Sequence, residues 1–160
     1  MMKPLALALI LTMVLGSVVG AGAFELKGYK PGTPIAEIDT KGCEPVADAG
    51  SGMTGFRCTT TLGGDPAMVQ LTVFEERLAG AVFTVEHGRY RPMLDALTEA
   101  YGPPTQSNRY IEEYHWSTPR QSLSIAQNAI TKDKYQVVIV DHLLYDRVKA
   151  IQKDKAKKDM

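Results

Sequence analysis

Residues 67–86, AMVQLTVFEERLAGAVFTVE, hold the pattern that decides the fold of this 160-residue chain. Apolar and polar residues alternate on both sides of the charged triplet at 75–77, and residues two apart in a strand share one face of a sheet. The apolar residues that share a face are Val69, Leu71 and Val73 before the triplet and Ala81, Phe83 and Val85 after it. The stretch therefore predicts a β-hairpin that turns at the triplet.

A helix is predicted directly after the hairpin, in RYRPMLDALTEAYGPP at residues 89–104. Its apolar residues are spaced three or four apart, which is typical of one stripe of a helix. Pro92 fits only the first turn, so the helix should start near Tyr90, and Gly102 with the two prolines after it should end the helix. The stripe consists of Leu94, Leu97 and Tyr101.

Strand signals also lie on the amino-terminal side of the hairpin. GFRCTTTL, at residues 55–62, is rich in threonine, and GGD at 63–65 is typical of a turn. Further upstream, KPGTPIAEID at 30–39 predicts a short helix with Thr33 as N-cap and Pro34 at its first position.

Three more strands and a last helix are predicted on the carboxyl-terminal side. The strands are RYIEEYHW at 109–116, SLSIAQ at 122–127 and YQVVIV at 135–140. A helix should begin at about His142 and give way to a charged flexible tail at 153–160.

The predicted order is therefore helix, three strands, helix, three strands, helix. This order favours an α+β fold, in which an antiparallel sheet of about six strands packs helices on one face. It also suggests two α-β-β-β units plus a C-terminal helix. If the two units are equivalent, their helices lie on the same face of the sheet.

The first 23 residues predict a bacterial secretory signal peptide. Lys3 precedes an apolar run from Leu5 to Val19, and Ala21-Gly22-Ala23 matches a cleavage site before Phe24. The alternative is a retained membrane anchor, for which the run is short of the roughly 20 residues that a spanning helix needs. We therefore expect a periplasmic or secreted protein without an integral membrane segment after cleavage, built as a single domain at 24–152.

Cys43 and Cys58 are the two cysteines of the chain. Two thiols in a small exported domain usually pair, so a disulfide is expected, and neither a C-x-x-C motif nor a four-ligand zinc pattern is present. A bond that closes a loop of this length contributes about 3 kcal/mol in the chain-entropy model. Two unpaired buried thiols are the alternative.

The charge balance gives no support for nucleic acid binding. The chain has 18 basic and 18 acidic residues. Loss of Lys3 with the signal would leave 17 − 18 = −1, whereas nucleic acid partners favour a basic excess. No cofactor is indicated either.

Residue types that could carry chemistry are few and scattered. The three histidines, His87, His115 and His142, are not spaced as metal ligands on a helix, so no metal and no catalytic histidine are expected. Asp141 and His142 could be combined with Ser122 or Ser124 in a hydrolytic triad, but no G-x-S-x-G motif accompanies them.

Residues 59–104, followed by Trp116 and the small-residue strand SLSIA at 122–126, resemble small exported bacterial proteins of unknown function. In those proteins, as here, a hairpin is followed by a helix that ends in Tyr-Gly-x-Pro. Gly32-Thr33 before a short helix is loosely similar to the outer-membrane assembly lipoproteins (BamE/SmpA type) and to the tandem-unit β-lactamase inhibitor proteins. The chain lacks the lipid-bearing cysteine of the first group and all but one possible disulfide of the second. The resemblance implies a scaffold that binds proteins.

Tyr110, Tyr114 and Trp116 are the candidate binding residues, together with the loop at 44–56. Positions two apart in a strand share a face, and aromatic faces recur in protein recognition. Core packing is the alternative reading of these rings. We expect a non-enzymatic periplasmic binding or accessory protein that contacts an envelope protein or a secreted enzyme, including an inhibitor or immunity role. A small cell-wall hydrolase that uses His115 or His142 with a nearby acid is the alternative.

Overall fold

The computed structural model describes residues 23–47 and 52–158. Residues 1–22, which hold nearly all of the predicted signal peptide, lie outside the described part, as do residues 48–51 and 159–160. In chain order, the described elements are a 3₁₀ helix (Ile35–Glu37), β1 (Glu44–Val46), β2 (Met53–Leu62), β3 (Asp65–Phe74), β4 (Arg77–Val85), α1 (Tyr90–Tyr101), β5 (Gln106–Asn108), β6 (Glu113–Ser117), β7 (Gln121–Gln127), β8 (Tyr135–Asp141) and α2 (His142–Lys158).

The strands of the described residues form one antiparallel sheet of eight, in the order β1-β2-β3-β4-β8-β7-β6-β5. Each half of the sheet is a four-stranded meander, and the halves join where β4 pairs with β8, from Gly80 opposite Val140 to Val85 opposite Tyr135. Helix α1 carries the chain from β4, in the middle of the sheet, to β5 at its outer edge. The α+β class is confirmed, and the sheet is larger than the six strands predicted.

The hairpin at 67–86 is confirmed, and its turn is tighter than predicted. Phe74 pairs directly with Arg77, so that Glu75 and Glu76 alone make the turn, with φ of 50° and 60°. A two-residue hairpin turn of type I′ needs positive φ at both positions, which glycine and asparagine adopt at lower cost than glutamate. Two contacts hold this turn: an ion pair of 2.6 Å from Arg147 to Glu75 and a hydrogen bond from the Ile35 amide to the Glu76 carbonyl.

One face of the sheet forms the main core with α1. The predicted stripe of α1 faces this core, since Leu94 and Leu97 are buried and Tyr101 packs against it half-buried. The predicted inward residues of the hairpin are all buried, and all except Val73 belong to this core: Val69, Leu71, Val73, Ala81, Phe83 and Val85. The alternation in the sequence therefore identified the core face correctly.

Helix α2 packs on the other face of the sheet, so the prediction that the helices share one face is wrong. Its buried residues, Leu144 and Val148, form a second cluster with Phe74 and Ala79. A Cβ placed on Gly80 would lie 3.3 Å from a ring carbon of Tyr145, and Gly80 points away from the main core because its neighbour Ala81 points into it. Glycine at this position allows the helix to approach the sheet closely.

Several predicted boundaries also change. The segment 109–116, expected as one strand, is a turn at 109–112 followed by β6. The first predicted helix is one 3₁₀ turn, in which Pro34 rather than Thr33 occupies the N-cap position and no side chain makes a capping hydrogen bond. Helix α2 continues through Lys158, so the charged segment expected as a flexible tail is helical to that point. Because the first unit opens with a 3₁₀ turn and four strands, the α-β-β-β repeat is not the observed organisation.

The expected disulfide is confirmed: Cys43 and Cys58 are bonded, and their Cα atoms are 4.4 Å apart. Glu44 pairs with Arg57, so the bond joins β1 to β2 at the next position of the ladder. It therefore ties the short edge strand to the sheet. No helix of the described residues is long and apolar enough to cross a membrane.

Candidate functional site: an apolar tip on two adjacent loops

The sheet separates the three aromatic residues that the sequence grouped together. Trp116 is 2% exposed on the core face of β6, and its indole nitrogen donates a hydrogen bond of 2.8 Å to the Gly102 carbonyl. Tyr114, two residues away on the same face, is half-buried against the core. The expectation of an exposed aromatic face is therefore wrong for Trp116, which belongs to the core.

Tyr110 has a different environment because it lies in the β5–β6 turn rather than on a strand. Its side chain is fully exposed, at 100%, and the next residue, Ile111, is 50% exposed. In the β7–β8 loop, Ile130 is 90% exposed. We call Tyr110, Ile111 and Ile130 the apolar tip. Sequence reasoning missed the two isoleucines, although each stands beside turn-forming residues in an otherwise polar segment.

The two loops of the apolar tip lie side by side at one end of the sheet. The Gln127 amide donates a hydrogen bond of 3.3 Å to the Glu112 carbonyl, which also accepts one of 2.7 Å from the Tyr90 hydroxyl. Lys132, in the β7–β8 loop, places its ammonium 3.9 Å from the Glu112 carboxylate. Glu112 therefore connects both loops to the start of α1.

An asparagine holds each loop in the same way. The Asn108 side-chain oxygen accepts a hydrogen bond of 3.1 Å from the Tyr110 amide. The Asn128 side-chain oxygen accepts bonds from the amides of Ile130, at 2.8 Å, and Thr131, at 3.0 Å. Asparagine often stabilises turns by bonding the backbone two residues on. The exposed apolar side chains are thus carried on turns that are already ordered.

The charged groups around the apolar tip are mostly paired. Glu112 has a φ of 48° and a carboxylate 3.2 Å from the Arg91 guanidinium. His87 bonds Asp133 at 2.7 Å, and this hydrogen bond lowers the pKa of the Asp133 carboxyl. Arg109, directly before Tyr110, is exposed. The tip therefore presents apolar side chains and a guanidinium within a rim of neutralised charges.

The predicted binding loop at 44–56 is not part of this surface. Its described residues belong mainly to β1 and β2, and residues 48–51 lie outside the described part. Strand β1 is one outer edge of the sheet, whereas β5, next to Tyr110, is the other. The two halves of the predicted binding surface are therefore at opposite edges.

The three histidines lie apart from one another: His87 is paired with Asp133 near the apolar tip, His115 is on β6, and His142 is the first residue of α2. His115 is paired with Glu113 at 3.0 Å, and in the β6–β7 ladder it lies opposite Ser124, on the face away from the main core.

Asp141 is on the core side, fully buried, and its carboxylate accepts hydrogen bonds from Arg120 and from the Leu144 amide. Since neighbouring strand positions point to opposite faces, Asp141 cannot form a triad with Ser122 or Ser124.

In the ranges 23–47 and 52–158, no three His, Cys, Asp or Glu side chains are grouped closely enough to hold a metal ion. Comparison of the chain with protein-family models, with curated proteins and with solved structures finds no match.

Proposed function

We propose that the protein is a non-enzymatic binding or accessory domain of the bacterial periplasm, and that it contacts a partner protein of the envelope or a secreted enzyme through the apolar tip. The observation that carries this proposal is the exposure of Tyr110 and Ile130 on two neighbouring, hydrogen-bonded loops. Large apolar side chains that are grouped and exposed are typical of interaction sites.

The residue types at the tip support a protein partner. Tyrosine and arginine are enriched among the residues that contribute most to protein interfaces, and Tyr110 stands next to Arg109. Loops positioned by a rigid scaffold are also the usual place of binding residues. The resemblance to exported binding scaffolds agrees with this interpretation.

Because the two loops are already ordered in the free protein, binding a partner costs less conformational entropy. A loop that must become ordered in a complex loses conformational entropy, which reduces the affinity. Here Asn108 and Asn128 already fix the backbone at Tyr110 and Ile130. The partner would therefore meet side chains whose backbone positions are set in the free protein.

Affinity capture from envelope extract tests the proposal, with the partner identified by mass. The variant Tyr110→Ala/Ile130→Ala should lower partner recovery at least tenfold, since losing two contacts of about 1 kcal/mol each weakens binding about thirtyfold. The matched control is Ile151→Ala, which removes a half-exposed isoleucine from α2, outside the two loops of the tip. Equal recovery of a partner by wild type and the tip variant would contradict the proposal.

A small cell-wall hydrolase is the second candidate, favoured by the contact between His115 and Glu113 and by Ser124 on the neighbouring strand. An acid that orients a histidine beside a hydroxyl is the arrangement of a general base and its nucleophile. Peptidoglycan fragments incubated with wild type and with His115→Gln test it. Product formation that the variant abolishes would establish this activity, and fragments left intact by wild type would dismiss it.

A further inference from the structure

A cavity of about 330 Å³ lies at the end of the sheet opposite the apolar tip. We call it the basic cavity. It is lined by Lys30, Pro31, Gly32, Thr33, Arg120 and Gln121, and by Ala23, which the predicted cleavage before Phe24 would remove. Two of these residues are cations and none is a carboxylate, so the groups that reach the cavity wall favour an anion.

A buried carboxylate holds Arg120 in place. Its Nε donates a hydrogen bond of 3.0 Å to Oδ2 of Asp141, which is fully buried. The other carboxylate oxygen of Asp141 accepts a bond of 3.1 Å from the Leu144 amide at the start of α2. The carboxylate uses Nε, and neither terminal nitrogen of the guanidinium is hydrogen-bonded within the described part of the chain, so both are available to a ligand at the cavity.

Gln121 forms a rigid part of the cavity wall. Its side chain is buried, at 4% exposure. The amide nitrogen donates to the Pro31 carbonyl at 3.1 Å, and the amide oxygen accepts from the Phe24 nitrogen at 2.8 Å. Both polar groups are therefore satisfied, and they join Phe24 and Pro31, on either side of Lys30, to the first residue of β7.

Gly32 keeps space open beside the guanidinium. Its φ is +90°, and an added Cβ would lie 3.6 Å from the Arg120 terminal nitrogen and 3.4 Å from the Asp141 carboxylate. Any other side chain would be strained at this φ and would occupy the cavity next to the cation. The backbone of Gly32 is fixed by a bond of 2.7 Å from its amide to the Leu78 carbonyl.

From these contacts we propose that the basic cavity binds an oxyanion group, a carboxylate or a phosphate, between Lys30 and Arg120. A guanidinium with free terminal nitrogens matches the two oxygens of such a group, and an ammonium adds a flexible point charge. The ion pair with buried Asp141 orients Arg120, and the ammonium of Lys30 keeps the cavity wall positively charged. The site is separate from the apolar tip, so it can be tested independently of the proposed partner.

The test is a titration of the isotope-labelled protein with sodium phosphate and, in a second arm, with sodium acetate, followed by amide chemical shifts at constant ionic strength. Saturable shifts at the amides of Gly32, Arg120 and Gln121 are expected with at least one anion, and the arm that saturates identifies the group. Lys30→Gln should weaken binding about threefold or more, as expected for the loss of an exposed charge pair. Lys41→Gln, an exposed lysine outside the cavity, is the matched control.

Arg120→Lys is the second variant, because it keeps a positive charge beside buried Asp141 and therefore protects the fold. It loses the planar guanidinium and should weaken binding at least as much as Lys30→Gln. Shifts that do not saturate with either anion, or equal affinity in the Lys30→Gln and Lys41→Gln proteins, would overturn the proposal.

Discussion

Truncation to alanine should strongly destabilise the protein at Trp116 and hardly affect its stability at Tyr110, although the two residues are only six positions apart. Trp116 is 2% exposed in the core, whereas Tyr110 is 100% exposed in a turn. A buried indole removes about 200 Å² from water, which at about 25 cal/mol per Å² corresponds to about 5 kcal/mol. We expect Trp116→Ala to lower the free energy of unfolding by about 3–5 kcal/mol.

Tyr110→Ala should change the free energy of unfolding by less than about 0.5 kcal/mol, as for other surface substitutions. Trp116→Phe is a useful intermediate, because it keeps a buried ring and removes the hydrogen bond to the Gly102 carbonyl. Leaving that carbonyl unpaired should cost about 1–3 kcal/mol. Comparison of Trp116→Phe with Trp116→Ala thus shows how much of the lost stability a smaller buried ring restores without the hydrogen bond.

Urea unfolding followed by far-UV circular dichroism is the suitable assay. Trp116 is the single tryptophan of the chain, so its replacement removes the fluorescence signal. A loss below about 1 kcal/mol for Trp116→Ala would refute the burial argument, since truncation of buried aromatics costs more. A loss of the same size for Tyr110→Ala would show that this ring packs against the protein.

Four further outcomes are expected. Burial raises the pKa of Tyr135 to about 12, so the stabilisation that comes from its protonated hydroxyl is complete below the ordinary pKa near 10 and is lost as the pH rises through 12. The buried hydroxyl has no hydrogen-bond partner among the described residues. Tyr135→Phe should therefore raise the free energy of unfolding, measured in urea, by about 1 kcal/mol and remove this pH dependence. Reduction of the bond between Cys43 and Cys58 should lower the free energy of unfolding by about 3 kcal/mol while most strand signal in circular dichroism persists; an unchanged urea midpoint would contradict this. Glu76→Gly should stabilise the hairpin by about 1 kcal/mol, because glycine adopts φ of 60° without the penalty of a side chain; a lower melting temperature would contradict it. Intact mass of the exported protein should correspond to a chain that begins at Phe24 and has no free thiol, and labelling of either cysteine would disprove the second part.

The sequence by itself determined the local elements. Alternation in 67–86 located the hairpin and its buried face, because side chains of a strand point alternately to its two sides. Helical spacing with Pro92 and Gly102 bounded α1 as Tyr90–Tyr101, since these two residues restrict the backbone wherever they occur. The disulfide was also predicted, because two thiols in a small exported domain usually pair, and the bond is present.

Only the tertiary structure decided which surfaces meet. An aromatic strand pattern is the same whether its face is exposed or covered, so the sequence does not show which applies to Trp116. The fold buries Trp116 beneath α1, where its indole bonds the Gly102 carbonyl, 14 residues away along the chain. The fold also placed α2 on the second face, where Gly80 gives it room, and it turned the chain at Tyr110 by bonding Glu112 to groups of α1 and the β7–β8 loop. These outcomes depend on contacts between residues far apart in sequence, and local spacing does not encode them.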